Sequence, residues 1–334
     1  MTESVKLHEI FTDQIKGLAI IFVLLGHLRS WFHIENIIPK IFSASGAWGV
    51  TIFLVLSGYG LTQSYLGKGL TLGSIKRRLV RVLLPYSVVS VLWLLIDYIH
   101  FHKVYSFPSI FTTLIGLNIF KPELDPTMWF ITYLLMWYIV FYLIFLLPLH
   151  KSIKVLTIFV FASVLQYKNM FLVLDWKYNY FAFPLGVLIS YFNIIFFRYR
   201  VVFVLNNLSI FIFCIFLNKI NDLSNFMSIS LTGISIAFWL ITIFPAINLK
   251  SNFLRFMGSI SYEIYLFEGA LALKYSQTLI VFKNPTESLL FFLILVLACA
   301  LVLKKTLNFI ITHIRKFFLK MERPSKHEYG SHNT

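Results

Sequence analysis

The 334 residues would ordinarily make one large domain or two smaller ones, but 58% are hydrophobic, only 13% are charged and the mean hydropathy is +0.80. A soluble domain carries roughly 25% charged residues, so a water-facing globular enzyme is excluded, and so is a disordered chain. The net charge of +15 accompanies no basic domain and no nucleic-acid motif; a polytopic membrane protein acquires it from Lys and Arg in its cytoplasmic loops.

A membrane span needs about 20 mostly apolar residues. Ten segments qualify: 11–31, 47–66, 82–100, 128–148, 154–171, 179–197, 201–218, 227–247, 257–275 and 287–304. The first is read as a retained helix. The ten residues before it hold Glu3, Lys6, His8 and Glu9, and no small-residue cleavage site follows. Between the third and fourth segments, Ile110–Phe120 is too short to span and is expected to be re-entrant or to lie on the surface. With the N-terminus inside, 20 of the 29 Lys and Arg residues fall on the side holding both termini and 9 on the other, which predicts both termini in the cytoplasm. The basic stretch 305–334 is expected to continue the last helix or to lie as an interfacial amphipathic helix, with a disordered end after Pro324. Cys214 and Cys299 sit inside apolar runs without metal-ligand spacing and read as core hydrophobes.

Ionisable groups at membrane depth carry the functional signal, because each is expensive unless it has a partner or a cavity. Asp13, Lys16 and His27 share one face of the first helix. The eleven steps from Lys16 to His27 leave a net turn of ~20°, and His27 lies ~16 Å further along the axis. His27 either hydrogen-bonds a neighbouring helix or serves as a general base, a role that suits neutral imidazole near pH 7. Arg77, Arg78 and Arg81 open the third segment together with Lys76. By charge alone they are a topological anchor or a phosphate clamp. Ser57, Gly58 and Gly60 would allow close helix packing. Glu268 in the ninth segment is either a protonated acid bonded to another helix or a second acid/base beside His27. Glu263, five residues earlier, faces another direction.

In order along the chain, Phe11-Thr12-Asp13-Gln14-Ile15-Lys16-Gly17-Leu18-Ala19 with Gly26-His27, Gly49-Val50 to Phe53 with Leu56-Ser57-Gly58-Tyr59, Arg77-Arg78-Leu79-Val80-Arg81 with Pro85-Tyr86, Trp129-Phe130, and Gly258-Ser259-Ile260-Ser261-Tyr262-Glu263-Ile264-Tyr265-Leu266 resemble the blocks of acyltransferase family three. These are integral-membrane O-acyltransferases that decorate cell-surface glycans. The resemblance implies an all-α membrane domain over 11–304 and no permanently bound cofactor. It also implies acetyl-CoA or another acyl-CoA as co-substrate, a polysaccharide or lipid-linked glycan as acceptor, lipid as surroundings, and glycan-assembly proteins as partners. In that reading His27 takes the proton of the attacking hydroxyl and Asp13 orients the polar face. Lys16 neutralises phosphate or oxyanion charge, Arg77, Arg78 and Arg81 hold the CoA phosphates, and Ser57 adds a polar contact. Glu268 is a second acid/base or the partner of His27.

Two departures stand out. Lys16 replaces the family's usual arginine, which keeps the charge but not the bidentate geometry, and Glu268 occupies a position where the family tends to place histidine. No hydrolase-like domain is appended after the tenth segment, so this chain would act alone or with a separate partner. The competing readings are a proton-coupled transporter or flippase, for which Pro184-Leu185-Gly186 would break the sixth segment, and a scaffold in a polysaccharide-export complex.

Overall fold

A computed structural model of the protein describes residues 9–31, 40–117, 124–168, 176, 178–192, 201–202, 205, 208, 212, 225–275 and 285–321. Among these residues the secondary structure is entirely helical. The elements used below are α1 (Glu9–Trp31), α2 (Ser45–Lys68), α3 (Leu72–Phe101), α4 (Phe107–Leu114), α5 (Trp129–Leu146), α6 (Lys151–Lys168), α7 (Ala182–Tyr191), α8 (Asn225–Ala246), α9 (Asn252–Ser259), α10 (Ser261–Gly269) and α11 (Pro285–Met321). Short 3-10 turns, Lys40–Ala44 and Pro126–Met128, lead into α2 and α5, and a π-helix, Ala270–Lys274, prolongs α10.

Six helices among the described residues are long and apolar enough to cross a membrane: Glu9–Arg29, Phe42–Lys68, Leu72–Phe101, Pro126–Leu146, Ser228–Ala246 and Thr286–His313. The protein is therefore an all-α, multi-pass membrane protein. The remaining four predicted segments take other forms. Segment 154–171 falls in α6 as far as Lys168, its last three residues lying outside those described; α6 has the length but carries Lys151, Lys154 and Lys168. Segment 179–197 contributes the ten-residue α7, and its residues from 193 onward lie outside those described. Most of 201–218, including Cys214, also lies outside them, as does everything after Met321.

Segment 257–275 is not one regular helix. The chain breaks at Ile260 (φ −117°, ψ 11°) between α9 and α10 and ends in the π-helix. Serine side chains explain the break: Ser259 and Ser261 donate to the carbonyls of Phe256 and Gly258, competing with the regular backbone ladder. Pro184 does not break α7; it sits at the third position of the helix, where its missing N–H has no intrahelical acceptor. α4 has no buried side chain, so residues 110–114 of that short piece lie on the surface, whereas Gly116 is buried against Leu83 and Leu135 and residues 118–120 lie outside those described. α11 runs unbroken past residue 304 to Met321, the continuation of the last helix that the sequence allowed.

α2 is the centre of the bundle, packed by α1, α7 and α8. Without a hydrophobic drive between helices in lipid, close approach depends on small residues. A Cβ on Gly58 would meet the Phe183 carbonyl at 2.3 Å, and one on Gly186 would meet Val55 O at 2.0 Å, so α2 and α7 touch backbone to backbone. Gly60, expected to contribute, faces open space. The antiparallel α1 is held on α2 where Gly26 abuts Gly46, with 2.5 Å between a Gly26 Cβ and the Gly46 nitrogen, and on α9 where Gly258 meets the Asp13 carbonyl. At its start, Gln14 is fully buried, donates to Leu249 O (2.9 Å) and accepts from Ser251 N–H (2.7 Å), stitching α1 to the loop before α9.

Candidate active site

The C-terminal end of α1 and the N-terminal ends of α2, α5 and α8 converge at one end of the bundle. There they enclose a cavity of about 480 Å³. Its walls come from His27 and Gly26 on α1, Gly46, Ala47 and Val50 on α2, Thr127, Trp129 and Phe130 at the start of α5, Tyr178 and Asn179 before α7, Ile229 on α8, Tyr265 on α10 and Leu273 in the π-helix. Local bonds fix the walls. Ser45 donates to the Phe22 carbonyl (2.8 Å), seating the start of α2 on α1, and Thr51 donates to Asn179 Oδ1 at 2.7 Å.

His27 and Glu268 are 241 residues apart in sequence and meet in this wall. Nδ1 of His27 lies 2.9 and 2.8 Å from the two carboxylate oxygens of Glu268. Glu268 is fully buried and His27 is 24% exposed. A carboxylate can only accept, so Nδ1 carries the hydrogen, and in the neutral imidazole that leaves the lone pair on Nε2. Gly46 faces the Nε2 edge of the ring: a Cβ there would lie 3.8 Å from Nε2 and Cδ2. The result is an imidazole oriented and charge-compensated from behind, with its basic nitrogen in a cavity, the geometry a general base requires.

Asp125, fully buried, caps the turn that starts α5. Its Oδ1 accepts from the backbone N–H and the hydroxyl of Thr127, both at 2.8 Å. Burial pushes its carboxyl up to about 6 despite those two bonds, and the nearby charge of Glu268 pushes the same way. The Tyr265 hydroxyl donates to the Thr127 carbonyl, tying this turn to α10.

The other expected site residues gather at the opposite end of the bundle. Asp13 and Lys16 pair with each other at 3.2 Å, each about a third exposed, and neither lines the cavity; their shared face with His27 does not make a shared site. Arg77, Arg78 and Arg81 are displayed by the first turns of α3. A reciprocal capping box starts that helix: Thr71 accepts from Ser74 N–H and Ser74 Oγ accepts from Thr71 N–H. Arg78 donates to the Gly60 carbonyl at 3.3 Å. Arg78 and Arg81 both act on the buried Tyr138 of α5, whose hydroxyl lies near Ser57, and Arg78 also acts on Tyr142. Arg77 instead lies over Gly73 and is exposed. Ser57, Arg78 and Arg81 therefore form one polar cluster, and His27 with Glu268 forms another.

Asp125, Thr127, Asn179, Tyr265 and Gly46 were not foreseen. Asp125-Pro126-Thr127 reads in sequence as an ordinary turn, and the signal available was a carboxylate three residues before a long apolar segment.

A family model described as an acyltransferase domain matches residues 9–304, essentially the whole bundle. Comparison with curated proteins and with solved structures finds no significant match. The match spans α1 with His27, the arginine turns of α3 and α10 with Glu268, and on it the chain belongs to acyltransferase family three, the integral-membrane acyltransferases.

Proposed function

We propose that the protein transfers an acyl group, acetyl above all, from acyl-CoA to a sugar hydroxyl of a cell-surface polysaccharide or its lipid-linked precursor. The observation that carries this reading is the His27–Glu268 pair, with Nε2 facing a cavity. In the transfer, Nε2 takes the proton of the acceptor hydroxyl while the hydroxyl oxygen attacks the acyl carbonyl. The carbon–sulfur bond then breaks and the proton leaves with the thiol of CoA. Glu268 stabilises the imidazolium formed on the way. The cavity is lined by Trp129, Phe130, Tyr178, Asn179, Thr127 and Tyr265, a mixture of aromatic faces and short polar groups that suits a sugar ring. Arg78 and Arg81, beside Ser57 and Tyr138, would hold the phosphates of CoA. Arg77, Lys16 and Asp13 would supply the outer electrostatics of that end.

The 20 to 9 split of Lys and Arg supports both termini in the cytoplasm and an even number of spans, which we take as ten in a bacterial cytoplasmic membrane. Donor and acceptor then approach from opposite sides. Reporter fusions after His332 and within Leu70–Ile75 should both read cytoplasmic, and one near Asp125 should read outside.

The test is thiol release from acetyl-CoA by purified protein in detergent, together with comparison of surface-glycan acetylation with and without the gene. A carrier or scaffold releases no thiol. Glu268→Gln keeps shape and hydrogen bonding but cannot ionise. A changed pH–rate profile in that variant supports the pair, whereas wild-type kinetics reduce Glu268 to a packing contact.

A further inference from the structure

Asp125 is the buried charge that the transfer described above leaves unused. Oδ1 is held by Thr127, while Oδ2 is buried with no hydrogen-bond partner among the described residues. An unpaired buried carboxyl oxygen is costly, and capping a three-residue turn does not require it.

Its position is specific. The Asp125–Thr127 turn lies directly on the backbone of Gly269, the residue after Glu268. A Cβ on Gly269 would sit 2.1 Å from Thr127 Oγ1 and 2.9 Å from Asp125 Oδ1. One turn earlier, Tyr265 grips the Thr127 carbonyl. The turn is thus fastened to α10 on both sides of Glu268. On its other flank, Lys274 donates to the carbonyl of Leu124 (3.3 Å) and pairs with the fully buried Asp97 of α3, which also accepts from Tyr105 and Tyr275.

Asp125 therefore stands beside two base–carboxylate pairs, His27–Glu268 and Lys274–Asp97. The titratable groups acting on it are His27 of α1, Glu268 and Tyr265 of α10, Lys274 of the π-helix and Tyr275 beyond it, with Asp97 behind Lys274. His27 and Lys274 each already have their own carboxylate, and Asp125 is the odd one.

We propose, building on the acyl-transfer reading, that Asp125 is a positioning residue for His27. As an anion behind Glu268 it adds a second negative charge to the site and stabilises the imidazolium formed when Nε2 takes the hydroxyl proton. No bond to Asp125 forms or breaks in the transfer; its contribution is the field at the imidazole. Because burial and Glu268 raise its carboxyl to about 6, Asp125 holds a proton below that pH and releases it to solvent above.

Asp125→Asn tests this, since it keeps Oδ1 as the acceptor for Thr127 and removes the charge. The expected result is a fall in kcat of roughly tenfold, an acidic limb of the pH–rate profile moved to lower pH, and an unchanged KM for acetyl-CoA. Asp125→Glu, which keeps the charge, should retain the acidic limb. Wild-type kcat with an unmoved acidic limb in Asp125→Asn would overturn the proposal and leave Asp125 as a turn cap. Infrared difference spectra of the unsubstituted protein between pH 5 and 7 read the same point independently of activity. A buried protonated carboxyl band should vanish as the pH rises through about 6; in Glu268→Gln it should still be present but titrate at lower pH, because the neighbouring negative charge is gone, and its absence in both proteins would also overturn the proposal. Loss of thiol release in the wild-type protein would sink the acyl-transfer reading while leaving the infrared test standing.

Discussion

The two ends of α1 carry similar polar groups under opposite conditions. At one end Asp13 and Lys16 pair across a single helical turn, each about a third exposed; at the other, His27 pairs with a fully buried Glu268 brought in from 241 residues away. Water screens the first pair, and it is the kind of contact worth only ~0–1 kcal/mol. The second is shielded, so removing one member leaves the other buried and uncompensated. The lesson is that a polar stripe along a membrane helix does not mark one site. Depth and the identity of the facing helix decide which part does chemistry.

The sharpest way to break this contrast is His27→Ala. Loss of a general base predicts a fall in kcat of about 10²–10⁴ with the protein still in the membrane, measured by acetyl-CoA-dependent thiol release and by membrane content. Retention of most activity in His27→Gln would return His27 to packing. Next comes Gly46→Leu. A Cβ alone, 3.8 Å from Nε2, is an ordinary contact, so Gly46→Ala should behave like wild type. A leucine should fill the space at the basic nitrogen and lower kcat/KM by about 10², with thermal stability in detergent separating occlusion from misfolding.

At the arginine end, Arg78→Ala and Arg81→Ala should raise the KM for acetyl-CoA. Loss of a charge-assisted contact of ~1.5–3 kcal/mol corresponds to roughly ten- to hundredfold in kcat/KM. Arg77→Ala should do less, since Arg77 is turned away over Gly73. Unchanged kinetics with altered insertion would make the whole loop an anchor. The smallest effect belongs to the exposed pair: Asp13→Asn should cost at most about fivefold in kcat/KM and lose even that in high salt. Lys16→Arg should be tolerated. A large, salt-resistant loss at Asp13 would erase the distinction between the two ends.

Distance along the chain decided how much was legible in the sequence. The apolar segments, the arginine turns and the shared face of Asp13, Lys16 and His27 are local patterns, and periodicity with charge is enough to find them. Glu268 could be named as a partner of His27 because an unpaired carboxylate in an apolar segment demands one. The packing that makes the pair functional was out of reach. Gly46 reads as a helix-start glycine, and only the opposed α1 reveals that it leaves room at Nε2. Asp125 reads as a turn residue, and only the contact with Gly269 puts it behind Glu268. The ninth segment looks like a single span; its break at Ile260 depends on serines whose preference for the backbone is decided by their surroundings.

The π-helix Ala270–Lys274 has a consequence of its own. A π-turn inserts one residue into the helical count, so it acts as a phase shifter of ~100° between the residues before it and those after it. Glu268 and Tyr265 lie before the shift and keep their phase with the cavity, whereas Lys274 lies at its far end and is swung round to Asp97 and the Leu124 carbonyl. Forcing all five residues into an ordinary α-helix would rotate Lys274 by ~100° out of register while leaving the His27–Glu268 pair in place, whereas deleting one of them would restore an ordinary helix with Lys274 still in phase. The clamp that seats the Asp125 turn and the pair that would carry the proton are mechanically separable parts of one helix.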